Sequence, residues 1–344
     1  MKMNSLERFT ETLRWQPTDR CCCLPLVFGY AANIAEIEIK DAISDTEALV
    51  SSQLLAQRLF GYDAVYVYGG NAVEIESLGI PLVFPDGDYP YPDPRYDLKN
   101  PDELLAKPLP DPVSHGRIPK LLSAAGKLRQ EVDGSVPVVG VIAGPFTIAA
   151  QVLGLEKLLL LLVDDPDKIQ KLLHNVSILS QNFALALLTA GAQVIMIMDP
   201  VSSQSIITPG IFRNFSFPLL RGIFKGCRRA GALACWLAIT GRTDGFFKLY
   251  PDTGADLVTL DYEVSMERAF SLLPRLVIQG NIRPFDFVER GPGEIRRECL
   301  DLLQLAQARP GYILGTGCEL PLNSKQENLE AMMDVLSLPF QGKG

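Results

Sequence analysis

Histidine is nearly absent: the 344 residues contain two, His115 and His174. His115 lies in a proline-bearing stretch and His174 in the middle of a helical pattern, so both read as surface or packing residues rather than ligands. Clustered lysine and arginine are missing too, and the formal net charge is −8. That excludes nucleic acid as the expected partner, because binding a phosphate backbone needs a basic patch. No run of eighteen apolar residues occurs, which leaves no candidate membrane span. The opening MKMNSLERFTETLRW is charged and amphipathic, without the apolar core of a secretory signal, so the expected location is cytoplasmic. The seven cysteines are odd in number and lack zinc-ribbon spacing, so reduced thiols are expected. Adjacent Cys21, Cys22 and Cys23 on a strand would point to alternate faces and could not chelate one ion together. No G-x-G-x-x-G follows the first strand, which argues against a dinucleotide-binding sheet.

What is present is ample apolar material, 47% of the chain against 21% charged, enough for one large core. Eight short apolar runs rich in β-branched residues recur, separated by helical patterns such as Thr46–Phe60 and 167–190. The runs are 23–27, 64–68, 136–142, 193–198, 233–240, 256–260, 276–279 and 311–314. Near-continuous apolarity is what parallel strands buried on both faces require. Eight strand–helix units predict an α/β fold, a single (β/α)8 TIM barrel spanning 1–344. The Pro-, Asp- and Tyr-rich segment 79–112 lacks periodicity and is expected to form a lid or rim.

In such a barrel the chemistry belongs at the C-terminal strand ends. Those positions read Gly69-Gly70-Asn71, Gly144-Pro145-Phe146-Thr147, Asp199-Pro200, Thr240-Gly241-Arg242, Asp261-Tyr262, Gly280-Asn281-Ile282-Arg283-Pro284 and Gly315-Thr316-Gly317-Cys318-Glu319. With Glu7-Arg8 and Pro17–Arg20 near the start and Glu327-Asn328 near the end, this ordered set resembles the superfamily of uroporphyrinogen decarboxylase and the corrinoid-linked methyltransferases. The resemblance spans nearly the whole chain and implies the uroporphyrinogen-decarboxylase type of barrel.

The decarboxylase signatures are incomplete. Its carboxylate-binding arginines would fall near 28–33, where there is none; its tyrosine falls on Gln151 and its C-terminal histidine on Thr316. The methyltransferase branch is nearer, because Cys318 matches its third zinc ligand. Its other two ligands, His-x-Cys at the tip of the fifth strand, fall on Ala238 and Thr240, so the resemblance implies a zinc site altered or lost. Cys235, three residues before Ala238, has the wrong parity to replace them.

The resemblance therefore implies a corrinoid-dependent methyltransferase that moves a methyl group between a small methylated donor and a corrinoid (cobalamin) carried by a separate protein. Asp199, Asp261 and Glu319 are the expected catalytic acids, able to protonate a leaving group. Tyr30, Tyr68, Asn71, Phe146, Tyr262 and Arg283 are the expected substrate-binding residues, and Cys318 the remaining candidate metal ligand. Asn281 reads as a tie between neighbouring strand ends. The alternatives are a lyase on a smaller acid gripped by Arg242 and Arg283, or a non-catalytic binding protein on the same barrel.

Overall fold

The computed structural model describes residues 2–96, 109–111, 114–307 and 309–337. Residues 97–108 and 112 of the expected lid lie outside the described residues. Among the described residues ten strands form: β1 (Cys22–Cys23), β2 (Val65–Val67), β3 (Leu82–Val83), β4 (Tyr91–Pro92), β5 (Val138–Ala143), β6 (Val194–Met198), β7 (Ala234–Ala238), β8 (Leu257–Thr259), β9 (Val277–Ile282) and β10 (Tyr312–Thr316). Eight make one parallel sheet in the order β1-β10-β9-β8-β7-β6-β5-β2. The short β3 and β4 pair antiparallel as a separate hairpin inside the 79–112 excursion. All residues of β2 and of β5 to β10 are buried, so the apolar runs are those of strands covered on both faces.

The first strand is shorter than the run 23–27 predicts. Leu24 N–H still bonds Leu314 C=O at 2.8 Å, but Pro25 has no N–H to continue the ladder. Pairing resumes only as a single bridge between Leu26 and Glu319. The ninth strand is longer than predicted: it runs through Gly280, whose φ of +135° only glycine adopts readily and where a Cβ would sit 2.6 Å from Leu260 O.

The helices start where local chemistry sets them. Asp45 accepts from Ala48 N–H to cap Thr46–Phe60, which stops at Gly61 in the left-handed region. Asp165 accepts from Lys168 N–H ahead of Pro166–Ala190. This 25-residue helix is long and apolar enough by composition to cross a membrane, yet half of its most apolar window is buried inside the fold.

Two polar constructions brace the sheet. At the N-terminal strand ends, fully buried Asp63 accepts from Arg8 Nη1 (2.6 Å), Arg20 Nη1 (2.8 Å), Ser5 Oγ (2.8 Å) and Cys23 N–H (2.9 Å). Asp19 holds the same Arg8 through Nε at 2.8 Å. The Glu7-Arg8 and Pro17–Arg20 patterns thus have a structural use far from the strand C-termini: Glu7 completes a capping box with Asn4, and the rest converge on Asp63. Asp63 also donates its own N–H to Cys23 C=O at 2.9 Å, linking β1 to the entry of β2, the two strands at opposite ends of the sheet order. Across the sheet interior, Trp236 Nε1 donates to Thr259 Oγ1 (2.9 Å), which donates to Gln279 Oε1 (2.8 Å). Gln279 Nε2 in turn donates to Leu24 O and Thr316 O at 2.8 and 3.1 Å.

Candidate active site

The polar strand ends gather at one rim, and their partners separate them into groups. Asp199, after β6, is fully buried. Its Oδ1 accepts from Thr147 N–H (2.8 Å) and Oγ1 (2.7 Å), and its Oδ2 from Ser202 Oγ (2.7 Å). Burial pushes its carboxyl up, opposed by the bonds from Ser202 and Thr147. Gly144 makes this packing possible: a Cβ there would lie 2.3 Å from Asp199 Cβ. Asp261, after β8, accepts Gly241 N–H at Oδ2 (2.9 Å) and Glu263 N–H at Oδ1 (3.1 Å). Asn281 Nδ2 donates to Asp261 O (3.0 Å) and Val264 O (2.8 Å), tying the end of β9 to the loop after β8.

Glu319, after β10, accepts at Oε1 from Tyr89 Oη (2.6 Å) and Gly29 N–H (3.2 Å). Burial pushes its carboxyl up to about 7. Tyr89 comes from the β3–β4 hairpin, so this part of the 79–112 segment reaches Glu319. Its ring meets Tyr68 edge-on with centroids 5.3 Å apart, and Tyr68 packs on Phe28 at 4.6 Å. Gly29 and Gly70 form the seat for Tyr89: a Cβ at Gly29 would lie 2.5 Å from the Tyr89 hydroxyl oxygen, and one at Gly70 3.0 Å from its ring. A groove of ≈ 450 Å³ opens beside Gly29, lined in part by Asn33, Glu36 and Glu38, and adds acid to this side.

The remaining expected residues differ in burial and partners. Tyr30 is buried, its hydroxyl has no hydrogen-bond partner among the described residues, and it feels the charges of Glu327 and Glu330 on the helix Gln326–Asp334. Phe146 is fully buried in the core, and Tyr262 is well exposed. Arg283 lies over the Tyr262 and Phe285 rings (5.8 and 5.5 Å) and is ion-paired with Asp286 (2.9 Å) and Glu289 (2.6 Å). Arg242 is exposed, 3.8 Å from Asp244.

The donor set does not fit zinc. Ala238 ends β7 with a methyl group facing the same way as Trp236, and Thr240 supplies only a hydroxyl. Cys235 Sγ points to Phe224 O at 3.7 Å, toward the outer helix. Burial pushes the metal-free Cys318 thiol up to about 12, with the Glu319 charge adding to the shift. Among the described residues no three His, Cys, Asp or Glu side chains come together as a metal cluster.

Two residues that periodicity could not flag stand out. Tyr89 was hidden in a segment without pattern. Glu74 looked like an ordinary helix residue in V-E-I-E-S, yet it is buried and its Oε1 accepts Ala143 N–H at the end of β5 (2.7 Å). Burial pushes it up to about 7.

Eight parallel strands taken in sequential order, with helices between them and polar residues gathered at the C-terminal ends, define an α/β protein of TIM-barrel type. Residues 4–337 match the Uroporphyrinogen decarboxylase (URO-D) family, and the chain belongs to it. Among its relatives, "Uroporphyrinogen decarboxylase" of Anaeromyxobacter dehalogenans (strain 2CP-C) is 24% identical over 96% of this chain and 97% of its own. "Methylcobamide:CoM methyltransferase MtbA" of Methanosarcina mazei is also 24% identical, over 95% and 96%. A solved "methyltransferase from Methanosarcina mazei" shares the fold, with a TM-score of 0.88 at 22% identity over 98% of this chain and 99% of that one. The family thus includes enzymes of both reactions.

Proposed function

We propose that this chain is a corrinoid-dependent methyltransferase, built on a fully closed barrel, that works with a corrinoid protein and a small methylated donor. One observation carries the reading: the rim is acidic, and Arg283 and Arg117 beside it are ion-paired. Glu319, Asp261 and Glu74 sit at strand ends, whereas Arg283 is paired with Asp286 and Glu289, and Arg117 with Glu76 at 2.7 Å. A polycarboxylate such as a porphyrinogen would meet like charge there, with Arg283 and Arg117 already ion-paired. The likeness to a methyltransferase from Methanosarcina mazei along the full chain supports the same branch.

The corrinoid, when docked by its carrier, supplies the cobalt that takes the methyl group. This chain holds the donor and manages its proton. Glu319, pushed up to about 7, keeps a substantial protonated fraction at neutral pH and hands that proton to the leaving group. Asp199 and Asp261, each held by backbone N–H or hydroxyl donors, are placed to orient the loops after β6 and β8 and to add negative potential. Tyr68, Asn71 and Tyr262 flank the donor; Tyr30, Phe146 and Arg283 shape the surrounding shell. The zinc site of the methyltransferase branch is altered in this chain, and no step runs through a metal bound by Cys318.

The test is single-turnover methylation of cob(I)alamin, free and carried by a corrinoid protein, over a panel of methyl ethers and methylated amines. Glu319→Gln should slow transfer about 10²- to 10⁴-fold without loss of thermal stability. Transfer from no donor, or anaerobic conversion of uroporphyrinogen to coproporphyrinogen at an enzymatic rate, would overturn the assignment.

A further inference from the structure

Lysines and arginines do not run together in the sequence, but helical spacing lines three of them up on the folded surface. The helix Phe217–Arg229 carries Arg221, Lys225, Arg228 and Arg229 and no acidic residue. Arg221, Lys225 and Arg229 are exposed and follow one another at intervals of four, so they form a single row. Arg228 is ion-paired with Asp256 at 3.1 Å, whereas the three in the row pair with no carboxylate among the described residues. Like charges one turn apart repel. The helix dipole favours a cation in the last turn, which accounts for Arg229 but not for Arg221. In a chain of net charge −8, an unpaired cationic row is an arrangement that folding by itself does not favour.

The row continues into a groove. A cavity of ≈ 410 Å³ opens between the start of this helix and the helix Pro166–Ala190. Leu173, Phe215, Pro218 and Leu219 give it an apolar lining, and its acid and its lysine, Asp167 and Lys171, offset each other. Pro218 lies one turn before Arg221, so groove and row make one strip about 16 Å long, three helical turns from Pro218 to Arg229.

An occupant has to suit both halves. A phosphate backbone would meet the row but brings nothing apolar to the groove. A membrane surface needs an apolar helix face turned outward, and here Leu220, Ile223, Phe224 and Cys227 are buried in the core. Carboxylates one turn apart on a helix match the row, and an apolar side chain beyond them fills the groove. We propose that this strip is a docking surface for an acidic amphipathic helix of a partner protein. It is separate from the strand-end site and does not depend on the methyl-transfer reading.

The experiment measures fluorescence anisotropy of a labelled, alanine-rich helical peptide bearing three glutamates four residues apart, with a leucine one turn beyond each end of that row. The full-length wild type should bind it at low salt, and added salt should weaken the complex. The double variant Arg221→Glu, Lys225→Glu should bind about 10-fold or more weakly. A peptide with serine in place of both leucines should also bind about 10-fold more weakly, which tests the groove without altering the protein. If the double variant fails to fold, Arg221→Gln and Lys225→Gln, each at an exposed position, take its place. No binding by the wild type, binding unchanged in the folded variants, or equal binding of the serine peptide would each overturn the proposal. Tighter binding of oligothymidine or of phosphatidylserine vesicles than of the peptide would overturn it as well, giving the row to a nucleic acid or a membrane instead.

Discussion

Replacing Asp63 by asparagine should be among the most damaging single-atom changes in the chain. The carboxylate is fully buried and faces two guanidinium groups, Arg8 Nη1 at 2.6 Å and Arg20 Nη1 at 2.8 Å. Asparagine keeps one acceptor but turns an NH₂ toward those cations, leaving Arg8, 4% exposed, with Asp19 as its remaining counter-charge. Removing one member of a buried ion pair costs about 3–5 kcal/mol, because the other charge stays desolvated. The unfolding entropy near the melting temperature is about 2.1 cal/mol/K per residue, or roughly 0.7 kcal/mol/K for a chain of this length, so the loss corresponds to a Tm drop of about 4–7 °C. Differential scanning calorimetry and urea denaturation on wild type, Asp63→Asn, Arg20→Gln and the double variant would measure it. The pair should be strongly non-additive, since both substitutions break the same contact. A Tm change below about 1 °C in Asp63→Asn, or simple additivity in the cycle, would refute the view that this cluster holds β1 to the entry of β2. The methyl transfer proposed above should be unchanged in the folded variant, because the cluster sits at the strand N-termini and the proposed site at the C-termini.

Asp19 supplies the pH dependence of the same corner. The Arg8 hydrogen bond is the chief reason its carboxyl is lowered from 3.8 to about 2. A depressed acid contributes stability that is present above the unfolded value and lost as pH falls through the folded one, here between about 4 and 2, and worth roughly 2 kcal/mol. Thermal melts of wild type and Asp19→Asn should therefore differ at pH 6 and converge toward pH 2; a constant gap would contradict this. Gly144→Ala should cost about 1–3 kcal/mol, because its Cβ would lie 2.3 Å from Asp199 Cβ; a variant as stable as wild type in chemical denaturation would show that the β5 and β6 ends are looser than described.

The strands were legible because burial on both faces leaves an apolar signature that needs no knowledge of neighbours. The misjudged ends were those where a single residue overrides the run: Pro25 cuts the first strand short by withholding an N–H, and Gly280 carries the ninth onward through a conformation that looks like a turn in sequence. The rim was legible only as a list of strand ends. Periodicity could not indicate that Asp199 would be surrounded by Thr147 and Ser202 while Glu319 met Tyr89, because those partners arrive from segments 52 and 230 residues away in the first and last pairs. Glu74 was invisible for a related reason: a glutamate on a short helix is ordinarily solvated, and its burial depends on how that helix packs against the end of β5.

The Trp236–Thr259–Gln279 chain across the sheet interior has an optical consequence. The protein has two indoles. Trp236 is fully buried and hydrogen-bonded at the centre of the sheet, and Trp15 lies under the Arg309 guanidinium at 4.8 Å, near the N-terminal helix. Their emission should differ in colour and in access to a soluble quencher, so a fluorescence titration distinguishes loosening of the sheet interior from fraying at its foot with no added label.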